Sequence, residues 1–345
     1  MQGVRERDTW VDAAKGVAII LVVLTHAYGY SAIIGAESEL WRSMNALFAT
    51  LRMPMFFMLA GLFATSWIGR SWSELLRGKV ILLMWVYLLW VIVRFLFFSL
   101  VPSLIYPSES GSLVRLFAQA VWSSMPTWFL YALAAFFVAA KALSKLRAIT
   151  QLVATGAISI VFMADLITLP SSLWTGLAEY FFFFLLGAHG SSIIRTRAKT
   201  FGGKTVAFAL VPIWIAAAWL CQQANLLDVI GVRFALSILA LPAGVGLGLL
   251  LSRGRLTAYL GKNTMPIYLA HSLVLGGVAV LLSGLPLDSL QTMAAWLTPA
   301  LTVASVAVSL GVHWLLMRMN VRGVYETPGW LDRKIAPRGT SVATP

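Results

Sequence analysis

The stretch that decides the fold is DAAKGVAIILVVLTHAY, residues Asp12–Tyr28. An apolar run begins at Val17, just after Lys15, and His26 interrupts it. Lys15 and His26 are eleven positions apart. In a helix that spacing is about three turns plus about 20°, so both side chains lie on one face, about 16 Å apart along the axis. The stretch predicts a membrane helix with a cation at its edge and an imidazole near mid-depth, and such an imidazole is by default a functional hypothesis.

Two simpler interpretations of this stretch stay open. A lone histidine in a membrane helix can serve only to hydrogen-bond a neighbouring helix. A cleaved signal peptide is the second alternative, but the lead-in includes Glu6, Asp8 and Asp12, and further hydrophobic spans follow. Signal peptides carry a basic lead-in and a small-residue cleavage site, so the pattern favours a retained first helix.

The composition indicates a membrane protein: of 345 residues, 59% are hydrophobic and 11% are charged, and the mean hydropathy is +0.84. A membrane helix needs about 20 apolar residues, so this length accommodates about ten spans with short loops. We expect an all-α polytopic helical bundle in one domain, residues 1–345, with a transmembrane core over about 8–317 and a cytoplasmic tail over 318–345. The single cysteine, Cys221, excludes an internal disulfide.

The basic residues predict the orientation of the spans. A net charge of +13 would suggest nucleic acid in a soluble protein, but here the preference of cytoplasmic loops for Lys and Arg explains it, and we expect no nucleic-acid partner. With the N-terminus inside, 21 of the 26 basic residues fall on inner segments and three on outer segments, while Arg52 and Arg94 fall within spans. Ten spans with both termini cytoplasmic produce this asymmetry. The fourth span is short if it begins at Trp128, or it begins nearer Phe117 and is bent by Pro126.

Arg52, in LRMPMFF, is a second ionisable residue predicted to lie at depth. It lies about 13 Å from the outer end of the second span, and His26 lies about 16 Å from the inner end of the first. In a hydrocarbon core about 30 Å thick, the two side chains should reach similar depths. A guanidinium there is costly unless it faces water, an anion or a partner, which makes Arg52 a candidate site residue. Snorkelling to the interface or pairing with a carboxylate is the alternative.

His271, in GKNTMPIYLAHSLVL, is predicted to approach the same depth from the same side as His26. Asn263 is a favourable N-cap and Pro266 suits a first helical turn, so His271 lies about 12 Å inside the helix that they begin. A hydrogen bond between helices is again the alternative role. The four histidines have neither nearby cysteines nor paired carboxylates, and we therefore expect no metal site.

Three further residues are candidates on the outer side. Arg94 and Glu179 fall in the outer parts of their spans, where they could pair with each other or line an outward cavity, and Glu179 could also orient a histidine. Trp128 follows Trp122 and precedes Tyr131 in an aromatic segment. Aromatic residues at that level most often form an interfacial belt, and a platform that stacks on a sugar is the sharper alternative.

Four segments, in order, resemble landmarks of one family: VDAAKGVAIILVVLTH, LRMPMFFMLAGLF, PTWFLYAL and LGKNTMPIYLAHSLVL. Together they resemble the membrane acyltransferase family 3, whose members O-acylate carbohydrates and carry a basic residue eleven positions before a histidine. The resemblance runs from about Asp8 to His313 and is nearest to the fucose 4-O-acetylase-like and exopolysaccharide acetylases. The chain departs from the family in having Lys15 where arginine is usual, and Arg52 where histidine is frequent. Trp85 and Tyr87 stand where a proline–tyrosine pair is common, and these departures leave the acceptor open.

The resemblance implies an integral-membrane O-acyltransferase of the bacterial inner membrane. Cytoplasmic acetyl-CoA would donate the acyl group, with succinyl-CoA still open, and the acceptor would be a hydroxyl of a cell-envelope, exported or lipid-linked glycan. Lys15 would bind a phosphate of CoA; the alternative is that it only sets the orientation of the helix or pairs with Asp12. His26 would act as general base or form an acyl-histidine, His271 would assist it, and Arg52 would stabilise the oxyanion or bind the acceptor. The outer candidates Glu179, Trp128 and Arg94 would bind substrate.

Two rival functions would also bury histidine and arginine at mid-depth. A secondary transporter or flippase for a polar solute or lipid-linked sugar would need them, but it would also favour inverted repeats, and the sequence has none that we recognise. A non-catalytic subunit of an assembly machine is the third possibility. Consumption of acyl-CoA by the purified protein separates the enzyme from both rivals.

Overall fold

The protein is an all-α bundle in a computed structural model that describes residues 8–105, 112–121, 126–329 and 331, and no strand is assigned among them. Its helices, in chain order, are α1 Thr9–Ile33, α2 Glu39–Gly61, α3 Thr65–Ile68, α4 Trp72–Leu75, α5 Ile81–Leu100, α6 Leu113–Val121, α7 Trp128–Ala142, α8 Ala148–Met163, α9 Ser172–Lys199, α10 Phe201–Gln223, α11 Val232–Leu251, α12 Arg255–Lys262, α13 Thr264–Leu282 and α14 Leu287–Arg318. A π-helical turn, Leu76–Val80, joins α4 to α5.

Within the described part of the chain, nine helical segments are long and apolar enough to cross a membrane. These nine confirm the predicted polytopic membrane bundle. The predicted fifth span corresponds to α8, a shorter apolar helix of 16 residues. At about 1.5 Å per residue α8 is about 24 Å long, less than the hydrocarbon thickness of about 30 Å.

The fourth predicted span begins at Trp128, since α6 is a separate helix that ends at Val121. Trp122 and the outer loop at Glu109 lie outside the described residues. Two hydrogen bonds from α13 fix the beginning of α7. The Tyr268 hydroxyl donates to the carbonyl of Pro126 and accepts from the backbone N–H of Phe129 at 3.1 Å. The candidate residue Trp128 is thereby held inside the bundle.

Helix α1 lies at the centre of the fold and packs on α2, α11, α12, α13 and α14. Its closest neighbour is the short helix α12, and glycines on both sides permit the approach. A Cβ at Gly261 would lie 1.7 Å from the carbonyl oxygen of Asp12, and one at Gly16 would lie 2.4 Å from the carbonyl oxygen of Thr257. Small residues allow helix backbones to come this close in membranes. The contact fixes the turn of α1 that carries Lys15.

Two expectations about helix ends are settled by the geometry. Asn263 does precede α13, but its side chain makes no cap hydrogen bond there and donates instead to the carbonyl of Tyr259 at 2.8 Å. The expected N-cap interaction of Asn263 is therefore wrong, because the end of α12 takes its amide group. Pro266 does lie in the first turn of α13.

The segment after α14 folds back against α5. The indole N–H of Trp85 donates to the carbonyl of Gly323 and that of Trp90 to the carbonyl of Val324, both at 2.9 Å. Tyr325 packs against the Trp90 ring and is buried, and burial raises the pKa of its hydroxyl to about 12. Trp85, which departs from the family pattern, therefore anchors this segment to α5.

Candidate functional site

Two histidines from different helices meet in the middle of the bundle. His26 of α1 and His271 of α13 have ring centroids 5.0 Å apart, with an angle of 48° between the ring planes. His271 is completely buried and His26 is half-buried. The two histidines that were predicted to lie at similar depths are therefore neighbours.

The hydrogen bonding of His271 specifies its tautomer. Its Nδ1 lies 3.1 Å from the carbonyl oxygen of Ile267, one turn earlier in α13. A carbonyl only accepts, so Nδ1 carries the proton and Nε2 of the neutral ring holds the lone pair. Nε2 is buried and has no hydrogen-bond partner among the described residues. It can accept a proton or a hydrogen bond from a group that approaches it.

Two arginines flank this pair. Arg94 of α5 is completely buried, donates to the hydroxyl of Ser272 and places its guanidinium carbon 5.3 Å from the ring centroid of Phe98. Arg52 of α2 donates to Asn45 through Nη1, at 3.0 Å to the side-chain oxygen and 3.2 Å to the carbonyl. Both arginines lie within electrostatic range of His26. The site therefore brings together two imidazoles and two guanidinium groups.

Asn45 connects Arg52 to the first helix. Its side-chain oxygen lies 2.8 Å from the hydroxyl of Thr25, which is adjacent to His26. The same oxygen accepts from Arg52, so this one amide orients groups on both α1 and α2. Such supporting hydrogen bonds are what hold a site in a fixed geometry.

A first cavity, which we call the inner cavity, opens at the end of the bundle where α1 begins. It has a volume of about 340 Å³, and its polar lining includes Lys15 and Lys79. The Lys15 ammonium lies 4.6 Å from the ring centroid of Phe63, and the Lys79 ammonium lies 5.0 Å from that of Trp67. The cavity therefore has cations and aromatic rings at one end.

The inner cavity also comes close to His271. Neither histidine lines it, but Phe129 and Tyr268 do, and the ring centroid of Tyr268 is 6.0 Å from that of His271. An elongated molecule held at Lys15 could thus extend along α7 to within one helical turn of His271.

A second cavity, the outer cavity, lies toward the opposite end of α1. It has a volume of about 250 Å³ and is lined by Glu179 and Tyr180 of α9, by Arg233 of α11 and by Thr50 of α2, among others. Glu179 and Tyr180 are adjacent in α9, and both line this cavity. The inner and outer cavities have no lining residue in common, and neither is lined by His26 or His271.

The structure separates some of the candidates that the sequence grouped. Arg94 donates to Ser272 beside His271, whereas Glu179 lines the outer cavity with Arg233. The two residues of the suggested Arg94–Glu179 pair therefore lie in different environments. Trp128 packs in the interior, with its ring centroid 6.0 Å from Phe57 and 6.1 Å from Tyr180. This aromatic cluster replaces the expected outer belt at Trp128.

Among the described residues, no group of three or more His, Cys, Asp or Glu side chains is arranged to hold a metal ion.

Comparison with known protein families gives a match to the acyltransferase domain over residues 8–318. The chain belongs to the membrane acyltransferase family 3. A membrane acyltransferase requires an acyl donor and an acceptor. No curated protein and no solved structure matched the chain in the same comparisons.

The sequence analysis did not identify several residues of this site, although the spacing of some of them along their helices was informative. Asn45 is seven positions before Arg52 and Tyr268 is three before His271, so each shares a helix face with its partner. Ser272 is next to His271 in the chain, but no helical spacing pointed to it. Lys79 resembled any other basic residue of an inner loop, and Tyr180 resembled the phenylalanines that follow it.

Proposed function

We propose that this membrane acyltransferase is an O-acetyltransferase, which transfers the acetyl group of cytoplasmic acetyl-CoA to a hydroxyl of a cell-envelope or exported glycan. It would lie in the bacterial inner membrane with both termini in the cytoplasm. The observation that carries the proposal is the pair of imidazoles, His26 and His271, beside an inner cavity that Lys15 and Tyr268 line. A donor held in that cavity would bring its thioester near the two histidines.

The chemistry of the inner cavity supports acyl-CoA as the donor. Its two lysines supply cations for the phosphates of CoA, and Phe63 and Trp67 beside them supply ring faces for the adenine. The pantetheine arm carries amide groups joined by methylene groups, and its methylene groups would pack on Leu130 and Leu133, which line the cavity. Its thioester would end near Tyr268, beside His271.

The reaction that we propose is a direct transfer. A neutral imidazole, with His26 as the base and His271 beside it, takes the proton from the acceptor hydroxyl as the oxygen attacks the thioester carbonyl. The carbon–sulfur bond then breaks, the CoA thiolate takes that proton from the imidazolium, and the products are an ester and free CoA. The negative charge that develops on the carbonyl oxygen is attracted to the guanidinium groups of Arg52 and Arg94.

The test is an assay of purified protein in detergent with radiolabelled acetyl-CoA and envelope glycan as the acceptor. We expect label in the glycan and release of one CoA for each ester formed. Protein that binds the glycan but neither consumes acetyl-CoA nor labels an acceptor would contradict the proposal and favour a transporter. Mass spectrometry of surface glycans from cells with and without the protein identifies the acyl group and the modified hydroxyl.

A further inference from the structure

A third cavity lies between α9 and α10, and we call it the α9–α10 cleft. Its volume is about 810 Å³, more than twice that of the inner cavity. Ile193 of α9 and Val206 of α10 line it and are 67% and 57% exposed, whereas Met58 of α2 and Leu241 of α11 line it from the buried interior. Both α9 and α10 are long and apolar enough to cross a membrane. The cleft therefore opens from the side of the bundle toward lipid.

One face of α9 runs the length of the cleft. Leu186, Gly190, Ile193 and Arg197 line it at successive spacings of four, three and four residues, which places them on one face of a helix. Leu186 and Arg197 are eleven positions apart, which is about 16 Å along the helix axis. This length is about half of the roughly 30 Å hydrocarbon core, and half of the core is one leaflet. The cleft therefore matches the reach of one lipid acyl chain.

Glycines keep the cleft open. A Cβ at Gly202 would meet nothing within 4 Å, and a Cβ at Gly190 would meet one side chain, that of Ile194, at 3.3 Å. Gly203 has a different role, because a Cβ there would lie 1.9 Å from the carbonyl oxygen of Arg197 where the two helices connect. A larger side chain at Gly202 can therefore fill the cleft without a clash at its Cβ.

The charge at one end of the cleft distinguishes it from an ordinary lipid-facing groove. Arg197 is exposed and is the charged residue of a lining that is otherwise apolar among the described residues. Arg195 and Lys199, on the same turn of α9, both pair with Asp8. The Arg197 guanidinium has no hydrogen-bond or ion-pair partner in the described part of the chain. A free guanidinium binds a phosphate through two parallel hydrogen bonds.

We infer that the α9–α10 cleft binds one anionic phospholipid, whose phosphate binds Arg197 and whose acyl chain lies along α9 toward Leu186. Charge complementarity selects this occupant. In the proposed orientation the Arg197 end is cytoplasmic, and the cytoplasmic leaflet carries anionic lipids. The cleft shares no lining residue with the inner or the outer cavity. It is therefore separate from the site proposed for the acyl donor, and the inference does not rest on acyl transfer.

The headgroup contact is tested by native mass spectrometry of delipidated protein in detergent. The protein is titrated with phosphatidylglycerol, which is anionic, and with phosphatidylcholine, which carries the same two chains but no net charge. We expect one phosphatidylglycerol to bind with a dissociation constant about fivefold lower, the factor for one basic residue near an anionic lipid. Arg197→Gln should remove that preference. Equal affinity of the wild type for both lipids would overturn the inference.

A matched arginine is the control for Arg197→Gln. Arg147 is exposed, precedes α8 and does not line the cleft. Arg147→Gln should therefore keep the preference for phosphatidylglycerol. A preference that survives in Arg197→Gln, or that is lost equally in Arg147→Gln, would also overturn the inference, because the selectivity would then come from the overall charge of the protein.

The acyl-chain contact is tested by filling the cleft, and the measurement needs no acetyl-CoA. Gly202→Leu should weaken the binding of both lipids at least about tenfold, the factor for displacing two methylene groups from an apolar site. Gly311→Leu is the control, since a Cβ at Gly311 on α14 also meets nothing within 4 Å. Val206→Trp, at an exposed lining position, fills the cleft in a second way. Melting curves of the lipid-free proteins verify that the variants fold, and wild-type lipid affinity in a folded Gly202→Leu or Val206→Trp variant would overturn the inference.

Discussion

The sharpest consequence of the inner cavity concerns Lys15 and the phosphates of the donor. Lys15 lines the cavity, and its ammonium lies 4.6 Å from the ring centroid of Phe63. A hydrogen bond to a charged group contributes about 1.5–3 kcal/mol. At about 1.4 kcal/mol per tenfold change, Lys15→Gln should weaken acetyl-CoA binding about 10- to 150-fold. Lys15→Glu should weaken it further by repulsion, and Lys15→Arg should largely preserve it because arginine also binds phosphate.

The assay is calorimetric titration of purified, correctly inserted protein with two donors. Acetyl-CoA carries the phosphates of the nucleotide, and S-acetylpantetheine carries none. Lys15→Gln should reduce affinity for the first and leave the second unchanged. Rising salt should weaken acetyl-CoA binding to the wild type more than to the variant, because ions screen an interfacial ion pair. Lys204→Gln, which changes an exposed lysine on α10 outside this cavity, is the matched control.

Two results would refute the reasoning about Lys15. Equal acetyl-CoA affinity for wild type and Lys15→Gln would remove Lys15 from donor binding and leave the histidines as candidates. An equal loss of affinity for S-acetylpantetheine would mean that the substitution deforms the cavity and that no phosphate contact was lost.

Three further predictions follow from the packing. Tyr268→Phe removes two hydrogen bonds to the start of α7, each of which contributes about 1 kcal/mol. The variant should therefore have a lower melting temperature and a lower kcat. Unchanged values of both would contradict the role of Tyr268 in positioning α7. Gly261→Val should destabilise the protein by about 1–3 kcal/mol through overpacking against α1. Gly311→Val is the control, because a Cβ there meets nothing within 4 Å. Equal melting curves for the two variants would exclude the close α1–α12 contact. Cysteines at Glu37 and Arg70 should be labelled from opposite sides of the membrane, and labelling from one side would exclude the ten-span topology.

The hydropathy and the charge pattern of the sequence predict most of the membrane-spanning helices. Lipid requires every backbone group to be satisfied within its own segment, so long apolar runs such as the one after Val17 become helices. The exception is α8, in which the apolar run is real but the helix ends at Met163 because Asp165 takes a left-handed conformation. Local backbone hydrogen bonds close this helix end, from Asp165 to the carbonyl of Phe162 and from Leu166 to that of Val161, and hydropathy does not specify where such a turn falls.

The site was predictable where it depended on helical spacing and depth. The sequence could place His26 and His271 at one level because His26 lies about three turns after Lys15 at the predicted membrane edge and His271 about two turns after Asn263. Their contact, and the tautomer of His271, depend on how α1 and α13 pack, which sequence spacing does not specify. The packing of Trp128 could not be predicted for the same reason, since its neighbours Phe57 and Tyr180 come from other helices.

The central claim, that the histidine pair performs acyl transfer, is tested most directly by His26→Ala. Losing a general base costs about 10²–10⁴ in rate, and removing one polar group should leave insertion intact because the span becomes more apolar. His189→Ala is the matched control, because that histidine lies on α9 and contacts Gln151 at 3.1 Å, away from the pair. The measurement is acetyl transfer per folded molecule. A loss of at least about 100-fold in His26→Ala, with His189→Ala near wild type, is the expected result, and wild-type turnover by well-inserted His26→Ala would contradict the account.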